Sequence, residues 1–364
     1  MSVENTARFI SMMIIRTMGP NCVNRDDLGN FKTTFFGNRE RRRISSQCNK
    51  RHTRKLLNKI LGVENYRTQE IPRLLKESLV AGGVSQIVER LAKIFSDGKT
   101  EGKLFKEYDK YKKSVTAALP TGNLSLLGTY QSTTSLFISQ DERALLLEEA
   151  KKPIVEIRPI NDIIGKDVNK RYGAVIALFG RFMAEASDMT LEAACSFAHE
   201  ISTHEVMSES DYFILENEKA LTTGGGHLGH SSFGTATTYL HAVLDMETLR
   251  SNLPGFSQEQ IKQIVGGFVQ ASVEAFPEGR KNSFFANTLP EYVRIDVTPM
   301  PISMVSAFEE PVSSGVNGGY TKNSIKILEE YRAQQIERGY TVASSCGGDN
   351  YKTRDLVTFV QKLC

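Results

Sequence analysis

Residues 39–55, RERRRISSQCNKRHTRK, hold eight lysines and arginines within a chain whose formal net charge is only +3. Charge that is local and of one sign suits one kind of chemistry, the gripping of a polyanion by charge-assisted hydrogen bonds. From Ser45 onward the pattern is helical. At 100° per residue Thr53, Leu56, Leu57, Ile60 and Leu61 fall on one side, and Lys50, Arg51, Arg54, Lys55 and Lys59 on the other. Such a helix docks on a core and shows its cations outward. Ser45 or Ser46 is the natural N-cap, and SSQ stands where a helix N-terminus offers unpaired backbone N–H groups to a phosphate. The charge continues through Arg39, Arg41, Arg42 and Arg43, a span longer than one phosphate group, which favours a nucleic-acid backbone over a small anion.

Other candidates carry less. HEISTH, His199 to His204, resembles the zinc-protease HExxH in outline, but its histidines stand at i and i+5, about 140° apart on a helix, where the motif needs i and i+4. TTGGGHLGH, 222–230, lacks the closing GK[ST] of a phosphate-cradling loop and reads as a flexible hairpin tip. There is no GxSxG elbow. Asp26 and Asp27 in NRDDLG are paired carboxylates that suit either metal-dependent chemistry or, as the commoner use of Asp, a turn. The lysine-rich GKLFKEYDKYKKS, 102–114, carries acids spaced to pair with its lysines and reads as a solvated face. Five cysteines without a CxxC pair make neither a disulfide framework nor a zinc site. No metal and no cofactor is expected. The opening MSVENTARFISMMII has no basic leader or cleavage signal, and no apolar run approaches the roughly 20 residues of a membrane span, so a cytoplasmic protein away from membranes is expected.

The elements that must position these residues can be read in outline. ARFISMMIIRTMG, ending at Gly19-Pro20, suits a buried strand, and RRRI, 41–44, a second extended piece. From about 65 to 120 the chain is helix-prone and resembles an insertion. PIVEIRPI and AVIALFGRFM read as strands, LEAACSFAHEI as a helix, and 201–236 as a long hairpin with two β-prone arms. SQEQIKQIVGGFVQASVEAF is an amphipathic helix and EYVRIDVTPMPI a late strand. Strands separated by helices, with two excursions, predict an α+β core with inserted lobes.

NRDDLGNFKTTFFGNRERRRISSQCNKR resembles the signature of the crRNA-binding backbone subunit of type I-E CRISPR Cascade complexes, the CasC family of the RAMP superfamily, and the likeness resumes in SFAHEISTHEV, SDYF, HLG and TPMPISMVSAFE. It covers most of the chain outside the helical insertion. The resemblance implies a modified RRM or ferredoxin-like palm, a helical finger and a β-hairpin thumb. The corresponding division is palm over 1–62, finger over 63–150, palm again over 151–200, thumb over 201–236 and palm over 237–364. It also implies head-to-tail polymerisation of further copies along one crRNA, other Cascade subunits as partners, and target DNA reached through the guide. On the matched positions, Asn24, Arg25, Lys32, Arg39, Arg43, Ser45, Gln47, Lys50, Arg51 and Arg54 would hold the guide backbone without reading sequence. The family's apolar wedges would fall on Phe182, Tyr212, Phe213 and Leu228. Phe182 also suits palm core, as it follows a strand-like run. After AFE the chain continues EPVSSGVNGG where the family often has lysines, and no role is carried over there. The expected function is non-catalytic guide binding; the alternative is a metal-dependent endoribonuclease of the same superfamily using Asp26 or Asp27.

Overall fold

The computed structural model describes residues 8–79, 84–96, 100–106, 108, 130–165, 173–182, 189–216 and 225–364. They cluster into two compact units. The first comprises Met1–Leu61, Cys195–Met246 and Gln258–Cys364; the second comprises Gly62–Ala194 with Glu247–Ser257.

The first unit is built on an antiparallel sheet. Its strands are β1 (Phe9–Asn21), β2 (Thr33–Phe36), β3 (Arg39–Ile44), β6 (Cys195–Phe197), β7 (Glu200–Ser202), β8 (Glu209–Glu216), β9 (Gly225–Asp245), β10 (Tyr292–Thr298) and β11 (Ser344–Gly348). The order across the sheet is β11-β10-β1-β9-β7-β3-β2, with β6 and β8 also paired to β9. Helix α1 (Ser46–Leu61) links the β1 region to β7, and α7 (Gln258–Glu274) links β9 to β10. The core order β10-β1-β9-β7 with these two crossovers is the split βαβ arrangement of an RRM-like, ferredoxin-like palm. The α+β expectation holds.

β1 reads as an almost unbroken apolar run because both of its faces are covered. Met13 and Ile15 point into a cluster with Tyr239, Tyr292, Phe308 and Leu328, the last on α8 (Thr321–Glu337). On the other face the Arg16 guanidinium donates to the carbonyls of Val273 and Ala275 at the end of α7. α7 lies between α1 and α9 (Thr353–Gln361) at VGGF. A Cβ on Gly267 would stand 3.1 Å from Leu61, and one on Gly266 would stand 2.7 Å from the Gln361 amide. The missing side chains let three helices approach closely.

The second unit contains α2 (Ile71–Ser78), α3 (Val84–Ile94), α4 (Gln140–Lys151), α5 (Ala174–Phe179) and a two-stranded sheet of β4 (Asn65–Thr68) with β5 (Leu136–Ser139). Leu75, Leu91, Phe95, Phe105, Ile138 and Leu146 are among its core residues. Glu142 serves twice: one oxygen accepts the Ser139 N–H in a capping box at the start of α4, and the other receives the buried Arg181 guanidinium at 2.8 Å.

Several sequence expectations are corrected. PIVEIRPI holds a 3₁₀ turn, Ile154–Glu156, and AVIALF is helix α5, set between Gly173 and Gly180, whose φ is +73°. Residues 151–194 cluster with the helical unit, whereas the sequence reading gave 151–200 to the palm. LEAACSFAHEI is not helical: it yields the short strands β6 and β7. Gly225–His230 belongs to β9, where a flexible tip was expected; Thr222–Gly224 lie outside the described residues.

Candidate RNA-binding surface

The β2–β3 hairpin, the loop before it and the start of α1 form one hydrogen-bonded block. Asn24 takes a left-handed φ of +55°, and its Oδ1 accepts the Ser45 backbone N–H at 2.7 Å. The Asn24 carbonyl accepts the Lys32 N–H, and the Lys32 carbonyl accepts the Arg43 N–H, so the three residues are tied through the main chain. Ser45 is buried and caps α1, its hydroxyl accepting the Cys48 N–H at 3.3 Å. On α1 itself Gln47, Lys50, Arg51 and Arg54 recur at i, i+3, i+4 and i+7 and share one face. Gln47 and Arg51 are exposed and Lys50 and Arg54 half-buried, with the Lys50 ammonium donating to the Cys195 carbonyl at 3.3 Å. Asn49, His52, Thr53 and Leu57 are buried on the opposite side. Arg25 and Arg39 are exposed, Arg39 standing 3.9 Å from Glu205.

The expected continuity of charge through β3 is broken. Arg41 and Arg42 are among the most buried residues of the chain, at 0% and 1% exposure. Adjacent strand residues face opposite sides, and here both sides are roofed. The Arg41 guanidinium donates to the carbonyls of Ser202, Phe308 and Glu309. Arg42 donates to the Gly234 carbonyl and to both oxygens of Asn21, with its guanidinium 4.6 Å from the centre of the Phe31 ring. The planar, five-donor fork is what allows one cation to satisfy several chain-end carbonyls. Burial pulls the Arg42 guanidinium down to about 10, against the partial support of Glu200. These two cations hold loops in place, and outward charge on β3 falls to Arg39 and Arg43.

Sequence reasoning missed the partners that set this surface. His199 meets Arg43 across β3 and β7, its Nδ1 at 3.1 Å from the guanidinium, and burial followed by the Arg43 charge lowers its pKa. Buried Glu200 accepts from the Asn49 amide at 2.9 Å and the Thr238 hydroxyl at 2.5 Å, fixing the underside of α1. Both links cross more than 30 residues of sequence, so no local spacing signals them. His204, considered with His199 as a zinc pair, is fully engaged. Its Nδ1 hydrogen-bonds the Glu205 carbonyl, its Nε2 accepts the Thr237 N–H, and its ring stacks on Tyr320 at 3.7 Å. Asp26 makes a turn: one carboxylate oxygen accepts the N–H groups of Leu28 and Asn30. Among the described residues no group of three His, Cys, Asp or Glu is placed to hold a metal ion.

The aromatic candidates are dispersed. Tyr212 lies on β8 opposite His230 and is 71% exposed. Phe213 pairs with Gly229 and Leu228 with Ile214 through the backbone of the β8–β9 hairpin; their side chains lie outside the described residues. Phe182, 81% exposed, belongs to the second unit and follows the locked Arg181. It is not core.

A profile of the CT1975-like protein family of Cas proteins matches residues 10–355, nearly the whole chain. The chain belongs to this CT1975-like Cas family. No curated protein sequence matches it. Solved structures share its fold, among them two chains of surveillance complexes. One, a chain of a "CRISPR RNA-guided surveillance complex, pre-nicking", is 24% identical with a TM-score of 0.74, the match covering 91% of this chain and 89% of that one. The other, from a "CRISPR RNA-guided surveillance complex", is 20% identical with a TM-score of 0.68, over 98% and 100% of the two chains. Among the described residues of this Cas family member, no helix is long and apolar enough to cross a membrane.

Proposed function

We propose that the chain is the crRNA-binding backbone subunit of a type I-E Cascade surveillance complex, of the CasC kind. In this reading copies polymerise head to tail along one crRNA, other Cascade subunits cap or flank the row, and the guide is held ready to pair with target DNA. The observation that carries the proposal is the outward face of α1, Gln47, Lys50, Arg51 and Arg54, seated on a block tied together by Asn24, Lys32, Arg43 and Ser45. It is a row of donors with the reach of a phosphate backbone, and a grip on phosphates would be indifferent to sequence. Base pairing by the guide would supply the specificity. Family membership and the two surveillance-complex structures support the same reading. Tyr212, Phe213, Leu228 and Phe182 are the proposed apolar contacts to bases.

The protein acts here without catalysis, metal or cofactor. Asp26, one of the two acids that an endoribonuclease reading offers, spends a carboxylate oxygen on its own turn. Cleavage of end-labelled RNA by the chain, abolished by Asp27→Ala, would overturn the non-catalytic part.

The main test is chromatography with light scattering on the chain mixed with RNAs of increasing length. Bound protein mass should grow in steps with RNA length. Binding measured across salt concentrations should weaken in Lys50→Ala/Arg54→Ala equally for unrelated sequences, with the slope of log affinity against log salt reduced by about 1.4. A single copy bound whatever the RNA length, or an unchanged slope, would reject the reading.

A further inference from the structure

We infer that the cleft beside the β1–β2 loop is a subsite for one unstacked nucleobase, with Phe285 as its stacking platform. This rests on the RNA-binding reading above. The cleft, about 110 Å³ and open to solvent, is lined by residues including Val23, Phe276, Glu278, Lys281, Phe285 and Asn287. The lining mixes apolar and aromatic side chains with the Lys281 ammonium, the Glu278 carboxylate that pairs with it and the Asn287 amide, a composition that suits a flat heteroaromatic ring carrying hydrogen-bonding edges.

Three observations favour a base over another occupant. The first is preformation, because the loop is anchored at Glu278, Gly279 and Phe284 although it forms no regular element. The Glu278 N–H donates to His52 Nε2, and Gly279 lies so close to Cys22 and Val23 that a Cβ there would stand 3.0 Å from the Cys22 carbonyl. The N–H groups of Ser283 and Phe284 share the Arg280 carbonyl, and Phe284 stacks on Phe233 of β9 at 5.6 Å. Next to the stacked Phe284, Phe285 is 81% exposed, a large apolar ring presented to solvent.

The second is continuity. Val23 lines the cleft and is followed directly by Asn24 and Arg25, the first residues of the proposed backbone track. The third is charge. Lys281 pairs with Glu278 at 3.2 Å, while Arg25 and Arg280 act electrostatically on the nearby Cys22 thiol more strongly than Asp26 does, leaving a positive excess at the rim. A positive rim around an aromatic platform attracts a base with its phosphate more than it attracts an apolar peptide.

The test compares the full chain with Phe285→Ala, a change at an exposed position that leaves the fold intact by thermal unfolding. Each protein is titrated with a guide-length RNA and with a chain of the same length whose nucleotides are abasic. Phe285→Ala should lose about tenfold in affinity for the RNA and nothing for the abasic chain, with the salt slope unchanged. Photo-crosslinking of thiouridine-substituted RNA should label the peptide spanning Phe284 and Phe285. Equal affinity of the two proteins for RNA, or an equal loss on both ligands, would overturn the subsite. The backbone reading would survive that result if Lys50→Ala/Arg54→Ala still weakened binding. Loss of copy-to-copy assembly in Phe285→Ala without loss of affinity would assign the ring to a second copy instead. Absence of RNA binding by the parent chain would reject both proposals.

Discussion

At the scale of residues, identical side chains in one run have opposite duties. Arg51 stands exposed on α1, and Arg42, nine positions earlier, is sealed beneath Gly234 and Asn21. Removing a buried cation strands the carbonyls that it serves, whereas removing an exposed one removes only charge. Arg42→Ala should therefore destabilise the fold by about 3 kcal/mol, read as a lower urea midpoint. Arg51→Ala should change stability by less than about 0.5 kcal/mol and weaken RNA binding. The reverse pattern would mean that the track runs over β3 and not over α1. The basic run was legible in the sequence as a local concentration of cations at the start of a helix. Its division into structural and outward arginines was not, because the roofing carbonyls belong to residues 202, 234, 308 and 309, far away in the chain.

At the scale of elements, the β2–β3 hairpin turns at Gly37 and Asn38, with φ of +59° and +57°. The turn is pressed against the 305–309 segment, and a Cβ on Gly37 would stand 1.8 Å from the Glu309 carbonyl oxygen. Gly37→Ala should cost at least about 2 kcal/mol, since steric overlap adds to left-handed strain. Gly29, with φ of +90° and nothing within 4 Å of its virtual Cβ, isolates the strain alone; Gly29→Ala should cost about 1 kcal/mol. Equal costs in chemical denaturation would show that the hairpin tip is not docked. The elements that were legible are those with a long, clean period: β1, α1, α7 and β10. β-branched residues at 153–160 and 174–183 imitated strands, yet Gly173 and Gly180 bracket a helix whose buried Val175–Leu178 are apolar all round. LEAACSFAHEI, 191–201, imitated a helix. β6 and β7 are three residues each, too short to carry any period, and exist because β9 offers them a partner.

At the scale of the whole molecule, the two units answer differently to acid. In the sheet unit His241 is buried between Ser11, 2.7 Å from Nε2, and the Tyr239 hydroxyl, 3.2 Å from Nδ1. Burial lowers its pKa to about 4, with the Asp296 charge opposing. The unfolded chain therefore takes up a proton near pH 6.5 that the fold refuses. Stability from this group is complete above that pH and declines as pH falls toward 4, by about 3 kcal/mol in all. In the helical unit hydrogen bonds from Arg158 and Lys152 hold Glu149 at about 2, so its contribution is kept above about pH 4.5 and lost between there and 2. Lowering the pH should loosen the sheet unit before the helical one, seen by hydrogen exchange as earlier loss of amide protection in β1 and β9 than in α4. His241→Gln should flatten the stability profile between pH 6.5 and 4; an unchanged slope would place the acid response elsewhere.

β1 is hydrogen-bonded to a strand on each side and roofed above and below. Its amide protons can reach deuterated solvent only when the entire unit opens, so they should be the slowest in the chain to exchange. The loops at 22–32 and 276–291, which carry part of the proposed backbone track and the proposed base cleft, lie at the rim, where opening is local. Exchange measured with and without RNA thus contains its own control: protection confined to the rim, against an unmoved β1, reports contact, and slowing of β1 as well reports stabilisation of the whole unit.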